Sequence, residues 1–178
     1  MNINDGFMIL AVLCSPFLAV YVQSKIDLNR EKRRKRLWVF HTLMATRGDK
    51  ISLNHVQALN SIELYFDDTK KDKGILEKWN EYLDHLVHQN INESDKDYST
   101  RLDHWAKKAD ELLSDVLYIM SKSLGYDFDK VKIKRGIYIP KGHGDERYDN
   151  LIIRKRLSQI LQGKDSLPIK VIETDKGE

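Results

Sequence analysis

Residues 6–36 read GFMILAVLCSPFLAVYVQSKIDLNREKRRKR, and their reading decides the architecture. Gly6 to Ser24 is 19 residues without a charged side chain. As a helix it spans roughly 28 Å, close to the ~30 Å hydrocarbon core of a bilayer. Pro16 lies near its middle, where a membrane helix tolerates proline and kinks at it. Tyr21 sits near the end, at the level where aromatic side chains favour the interface. A secretory leader needs a basic start and a small-residue cleavage site. This chain starts MNIND and shows neither. A buried core helix would have to be apolar on every side while running straight into a solvated basic cluster. The expectation is one N-terminal transmembrane helix.

Outward from it lies the charge. Lys25 to Arg36 holds seven basic residues against two acidic ones, while 37–178 holds 23 basic and 24 acidic residues. The net charge of +3 therefore describes one short stretch. Basic residues directly after a spanning segment place the C-terminal body in the cytoplasm and the short N-terminus outside. Arg30, Lys32, Arg33, Arg34, Lys35 and Arg36 are the candidate membrane-surface residues, facing the lipid bilayer and its anionic head groups at about 1 kcal/mol each. Nucleic acid is not the expected partner, because the run lacks aromatic interleaving. Trp38, just after the run, marks the interface.

The division of the chain follows: an N-terminal segment and anchor over 1–24, a basic juxtamembrane stretch over 25–36, a helical cytosolic domain over 37–165 and a tail over 166–178. No Pro/Gly/Ser-rich linker parts anchor from body, so the first helix runs on through Leu37, Phe40, Leu43 and Met44 to Gly48. Ser52 is the expected N-cap of a second helix with a stripe of Val56, Leu59, Ile62 and Phe66. A third covers roughly 75–89 and a fourth roughly 99–124, with Gly125 as its stop. Val131 and Ile133 alternate with lysines, which reads as two short strands or as irregular chain near 126–144. A last helix runs from about Asp145 to Leu161 and ends at Gly163. Leu167–Ile172 is an apolar tail able to dock. The fold class is mainly α, a helical bundle continuing an anchor.

Several phrases occur in order: LMATR (43–47), HVQALNSIE (55–63), YLDHL (82–86), LGYDFDK (124–130) and IKRGIYIPKGHGDE (133–146). Over about 40–165 they resemble a bacterial family of unknown function, small proteins with an N-terminal membrane helix and a helical cytosolic body. The resemblance implies a membrane-anchored protein with no known activity, and with the anchor and basic run the expected location is the bacterial inner membrane, spanned once. It brings no catalytic residues.

The residues offer few sites. KRGIYIPKGHGDE (134–146) packs glycines, charges and a histidine closely enough to cradle an anion or nucleotide, with Lys134, Arg135, Lys141 and His143 as ligand-binding candidates. His143 beside Asp145 or Glu146 is also a proton-shuttle candidate. The sequence matches neither a phosphate loop nor a zinc motif, and a structured connection with solvated charges explains it more simply. Arg47, Asp49, His55 and Asn60 surround the first turn between helices, where capping accounts for them. The histidines His41, His55, His85, His88, His104 and His143 lack metal-ligand spacing beyond the His85/His88 pair, so no metal and no cofactor are expected. Trp79 and Trp105 read as core. Cys14 is the single cysteine, which excludes an internal disulfide.

No catalytic constellation stands out. The leading expectation is a membrane-tethered interaction or regulatory module that recruits a protein partner or self-associates. The alternatives are a cytosolic-face sensor of a small anionic ligand through 134–146, and an enzyme acting on a phosphorylated or lipid substrate.

Overall fold

The computed structural model describes residues 3–67, 69, 72–92 and 94–169, with side chains from Cys14 onward except that of residue 147. Seven helices follow in order among them: α1 (Ile3–Thr46), α2 (Leu53–Asn60), α3 (Ile62–Tyr65), α4 (Lys73–Val87), α5 (Tyr98–Leu124), α6 (Lys130–Arg135) and α7 (Lys141–Leu161). The fold is mainly helical, and no strand occurs among the described residues.

The backbone of α1 continues through Pro16 and the basic run for 44 residues. Every described residue from Cys14 to Arg30 is exposed, whereas Val39, Phe40 and Leu43 are fully buried. The helix enters the core only in its last third. Among the described residues no helix is long and apolar enough to cross a membrane. The side chains of Gly6–Leu13, the first part of the expected anchor, lie outside the described residues.

Ser52 caps α2 as expected. Its hydroxyl accepts from the His55 N–H at 3.4 Å and donates to the Asp49 carbonyl at 2.7 Å. The second helix is not continuous, however. At Ser61 the hydroxyl bonds back to the Gln57 carbonyl at 2.7 Å, and the chain breaks into α2 and α3. Leu59, Ile62 and Phe66 are buried as the stripe requires, but Ala58 takes the inward place and Val56 is exposed.

Helix α4 packs along α5, and α1 lies against α2, α3 and α5. Ile75, Trp79 and Tyr82 of α4 meet Ala109, Leu112, Leu113, Val116, Leu117 and Met120 of α5 in one core. The stop at Gly125 is a left-handed cap with φ +88°. There the N–H of Tyr126 reaches the Ser121 carbonyl at 2.8 Å and closes the last turn.

The expected hairpin near 126–144 is replaced by α6. Asp129 accepts the Val131 N–H at 2.9 Å and so caps a helix rather than a turn between strands. Ile133 is then the single buried residue of α6. Lysines at 130, 132 and 134 alternate by sequence, but a six-residue segment is too short for period alone to separate strand from helix. Helix α7 starts at Lys141, four residues before the expected Asp145, with Pro140 as N-cap and Gly142 and Gly144 inside its first turns.

The chain forms two compact units, Met1–Ile137 and Tyr138–Glu178, which part inside the expected 37–165 domain. The second contains α7, which ends at Leu161 as expected, with Gly163 at φ +69° just beyond its cap. Leu151, Ile152, Ile153 and Leu157 of α7 are exposed, as are Leu167 and Ile169 of the tail. Residues 170–172 of that tail lie outside the described residues.

In a strand Val131 and Ile133 would share one face and matter equally. In α6 they do not, since Ile133 is buried and Val131 is half exposed. Ile133→Ala is expected to cost about 3 kcal/mol in chemical denaturation and Val131→Ala less than about 1 kcal/mol. Equal losses would contradict α6.

Candidate functional site

The basic run divides by function once it is folded. Arg36 turns inward. Its Nε donates to the Tyr65 carbonyl at 2.7 Å, and a terminal nitrogen stands 3.2 Å from Asp67 and 2.8 Å from Asp72. Its guanidinium also lies 5.5 Å from the Phe66 ring. Asp72 is 0% exposed, and its Oδ1 accepts from Ser123 at 3.0 Å. Its Oδ2 meets Arg36 as an ion contact, without the alignment of a hydrogen bond. This pair ties α1 to the start of α4 and, through Ser123, to α5. Arg33 reaches the Leu124 carbonyl at 3.4 Å, near the open end of α5. Of the six expected membrane-surface residues, Arg36 is thus a structural residue of the body and Arg33 is partly engaged there. Arg30, Lys32, Arg34 and Lys35 remain exposed.

Lys35 pairs with Glu31 at 2.8 Å and lies 5.7 Å from the Tyr65 ring centroid. Arg34, Lys35, Trp38 and Tyr65 together line a hollow of about 350 Å³. Trp38 is 46% exposed there and does not join the core. The reading of the basic run missed this hollow, because Tyr65 comes from a distant segment. Only the i, i+4 spacing of Arg34 and Trp38 gave a signal.

A second set of contacts gathers at the end of α1. Arg47 donates through Nε to the Ile133 carbonyl at 3.1 Å, and its other nitrogens reach the carbonyls of Met44 and Gly136. It clamps the C-terminal end of α6. A Cβ at Gly136 would stand 2.6 Å from the Lys132 carbonyl oxygen, so the glycine is needed for a close backbone approach.

His55 is fully buried beside Thr46, with Nδ1 2.8 Å from Oγ1. Thr46 gives its own proton to the Thr42 carbonyl at 2.7 Å. The hydroxyl can then only accept from the ring, so Nδ1 carries the imidazole proton. Nε2 keeps a lone pair, buried and without a hydrogen bond among the described residues. Burial, then the nearby Lys50 charge, lower the His55 pKa to about 4, with Asp49 opposing. Lys50 is itself paired with Asp110. His55 is a neutral core residue at pH 7.

The residues expected to cradle an anion fall into different elements. Lys134, in α6, pairs with Glu111 at 3.1 Å. Arg135 ends α6 and is exposed. Lys141 and His143 stand in the first turn of α7, where His143 Nδ1 is 3.9 Å from Glu146, both well exposed. The segment is two helix ends rather than one loop.

Three further histidines, His85, His88 and His41, make contacts within the fold. His85 and Trp105 exchange hydrogen bonds with each other's carbonyls at 3.0 and 3.1 Å, their rings stacked at 5.4 Å. His88 turns back to Asp84, and His41 meets the Tyr126 hydroxyl at 2.8 Å. Trp79 is buried as expected and donates to Glu63 at 2.9 Å. Among the described residues no three metal-ligating side chains converge.

Two outcomes follow. Arg36→Gln leaves Asp72 buried without its counter-charge and is expected to lose about 3–5 kcal/mol by chemical denaturation. The double variant with Asp72→Asn is expected to recover a large part of that loss. A double variant no more stable than the single one would contradict the pairing.

The His55 pKa is lower folded than unfolded, so its contribution is complete above about pH 6.5 and declines as pH falls toward 4. Between pH 6.5 and 5.0 that amounts to ~2 kcal/mol. His55→Gln, which does not titrate, is expected to show a correspondingly shallower pH dependence. Parallel curves for both proteins would rule the assignment out.

No curated protein and no solved structure matches the chain. Residues 1–178 match the model of a family described as "Family of unknown function (DUF6680)", and the chain belongs to that family.

Proposed function

We propose that the chain is a membrane-tethered interaction or regulatory module, anchored by the apolar first part of α1. The observation that carries this reading is the surface of α1 between Cys14 and Leu28. Phe17, Leu18, Val20, Tyr21, Val22, Ile26 and Leu28 are all exposed, Phe17 at 79%. Helical spacing spreads these residues around the axis rather than along one stripe. A helix apolar on all sides is stable where something apolar surrounds it, and a bilayer supplies that without a partner of matching shape.

The exposed cations Arg30, Lys32 and Arg34 follow directly, on the side that the positive-inside rule assigns to the cytoplasm. The reading places the N-terminus outside, and the core of α1–α6 at the inner face of a bacterial membrane. The core itself supports binding more than catalysis. Its buried polar groups Asp72 and His55, with the half-buried Arg36, are used in holding helices together. A partner protein or a second copy is then the expected recipient of the tether.

Expression of the full chain in bacteria with alkaline carbonate extraction tests the anchor. The wild-type chain is expected to stay with the membrane pellet. Phe17→Lys with Val20→Lys is expected to release most of it, since each charge costs about 2.5–3.5 kcal/mol at the centre of a spanning helix. Release of the wild-type chain by carbonate would end this reading. Protease added to spheroplasts checks the orientation: the body should be protected until the cells are lysed.

A further inference from the structure

We propose that the hollow bounded by Arg34, Lys35, Trp38 and Tyr65 binds a phosphorylated small molecule with a flat body, of the nucleotide class. The phosphate lies against the two cations and the flat body against the indole and phenol rings.

The four side chains suit that ligand. The hollow has a volume of about 350 Å³ and is open to solvent, so it would hold one face of a ligand. Arg34 and Trp38 stand one helical turn apart on α1 and present a guanidinium and an indole to the same face. The Arg34 guanidinium, the Trp38 indole N–H and the Tyr65 hydroxyl make no hydrogen bond or ion pair among the described residues. Lys35 is paired with Glu31 at 2.8 Å, and Arg34 feels that carboxylate only as the weaker, more distant charge, so Arg34 is the principal phosphate anchor. Guanidinium and ammonium groups bind phosphate through charge-assisted hydrogen bonds, and a flat ring stacks on an exposed indole.

The far wall is fixed. Tyr65 closes α3, and its carbonyl accepts from Arg36 at 2.7 Å, the same arginine that pairs with Asp72. A wall held by a buried ion pair keeps its place when the hollow is empty, which lowers the ordering cost of binding.

Lipid phosphate is the other source of this chemistry. Leu28 is the last large apolar residue before the hollow, and Arg34 lies about 9 Å and Trp38 about 15 Å further along the helix. The head-group layer extends only ~5–8 Å beyond the hydrocarbon. A solute therefore fits the position better than a lipid of ordinary head-group size. That choice of source rests on the proposed anchor, whereas the hollow itself does not.

The test uses the full chain in detergent micelles, titrated calorimetrically with ATP and with inorganic pyrophosphate. ATP is expected to bind at micromolar to submillimolar concentration and pyrophosphate at least several-fold more weakly. Arg34→Gln and Trp38→Leu are each expected to weaken ATP binding tenfold or more. Lys32→Gln, an exposed cation that does not line the hollow, is expected to change it less than twofold. Melting temperatures without ligand should be unchanged.

Flotation with vesicles of phosphatidylcholine alone reports the anchor separately. Short-chain phosphatidylinositol bisphosphate, titrated into the same micelles, reports the lipid source. Binding of that probe but not of ATP, lost in Arg34→Gln, would overturn the solute form. Absence of binding to every probe, or an equal loss in Lys32→Gln, would overturn the site altogether.

Discussion

The guanidinium of Arg36 faces the carboxylate of Asp72 at 2.8 Å, and the carboxylate has no exposed surface. A charge in that position is costly alone, and the rest of the body is arranged around keeping it compensated. Asp72 opens α4 and touches Ser123 near the end of α5, while Arg36 belongs to α1 and holds the Tyr65 carbonyl at the end of α3. One ion pair therefore fixes how four helices meet. The apolar core gives the larger share of stability, but apolar attraction is non-directional, and its contacts carry less register than a charge pair does. The pair supplies the register that they lack.

Much of this was legible in the sequence. The helix stops at Gly125 and Gly163 and the cap at Ser52 were legible because each depends on a backbone geometry few residues serve. The burial of Leu59, Ile62, Phe66 and Trp79 followed from helical period. The misread parts have local causes. Val131 and Ile133 alternate like a strand over a span too short for period to decide, and the Asp129 cap settled it. Ser61 broke a stripe that reads as one helix, because its hydroxyl competes for the backbone.

The sites were less legible than the fold. Arg36 sits in a run of like residues, and nothing in RRKR distinguishes the arginine that turns inward from those that stay outside. Its partner is 36 positions away by sequence. Tyr65, which completes the hollow beside Trp38, is also far from it in sequence. Conversely, the richest local cluster, 134–146, is divided between the end of α6 and the start of α7, and Lys134 is engaged by Glu111. Crowding of chemically able residues is a weak guide where a helix boundary runs through the crowd.

From Phe17 to Thr46 the first helix contains neither proline nor glycine, so it is a continuous rod of about 45 Å. A rod has a phase as well as a length. Each residue advances it by 1.5 Å and turns it by about 100°, so the face that the core offers to its surroundings is geared to the orientation of the apolar end. A swivel of that end about its axis is passed to Val39, Phe40 and Leu43 undiminished, where a flexible tether would absorb it. Adding or removing a single residue between Leu28 and Arg33 would alter reach hardly at all, yet would point the body in another direction.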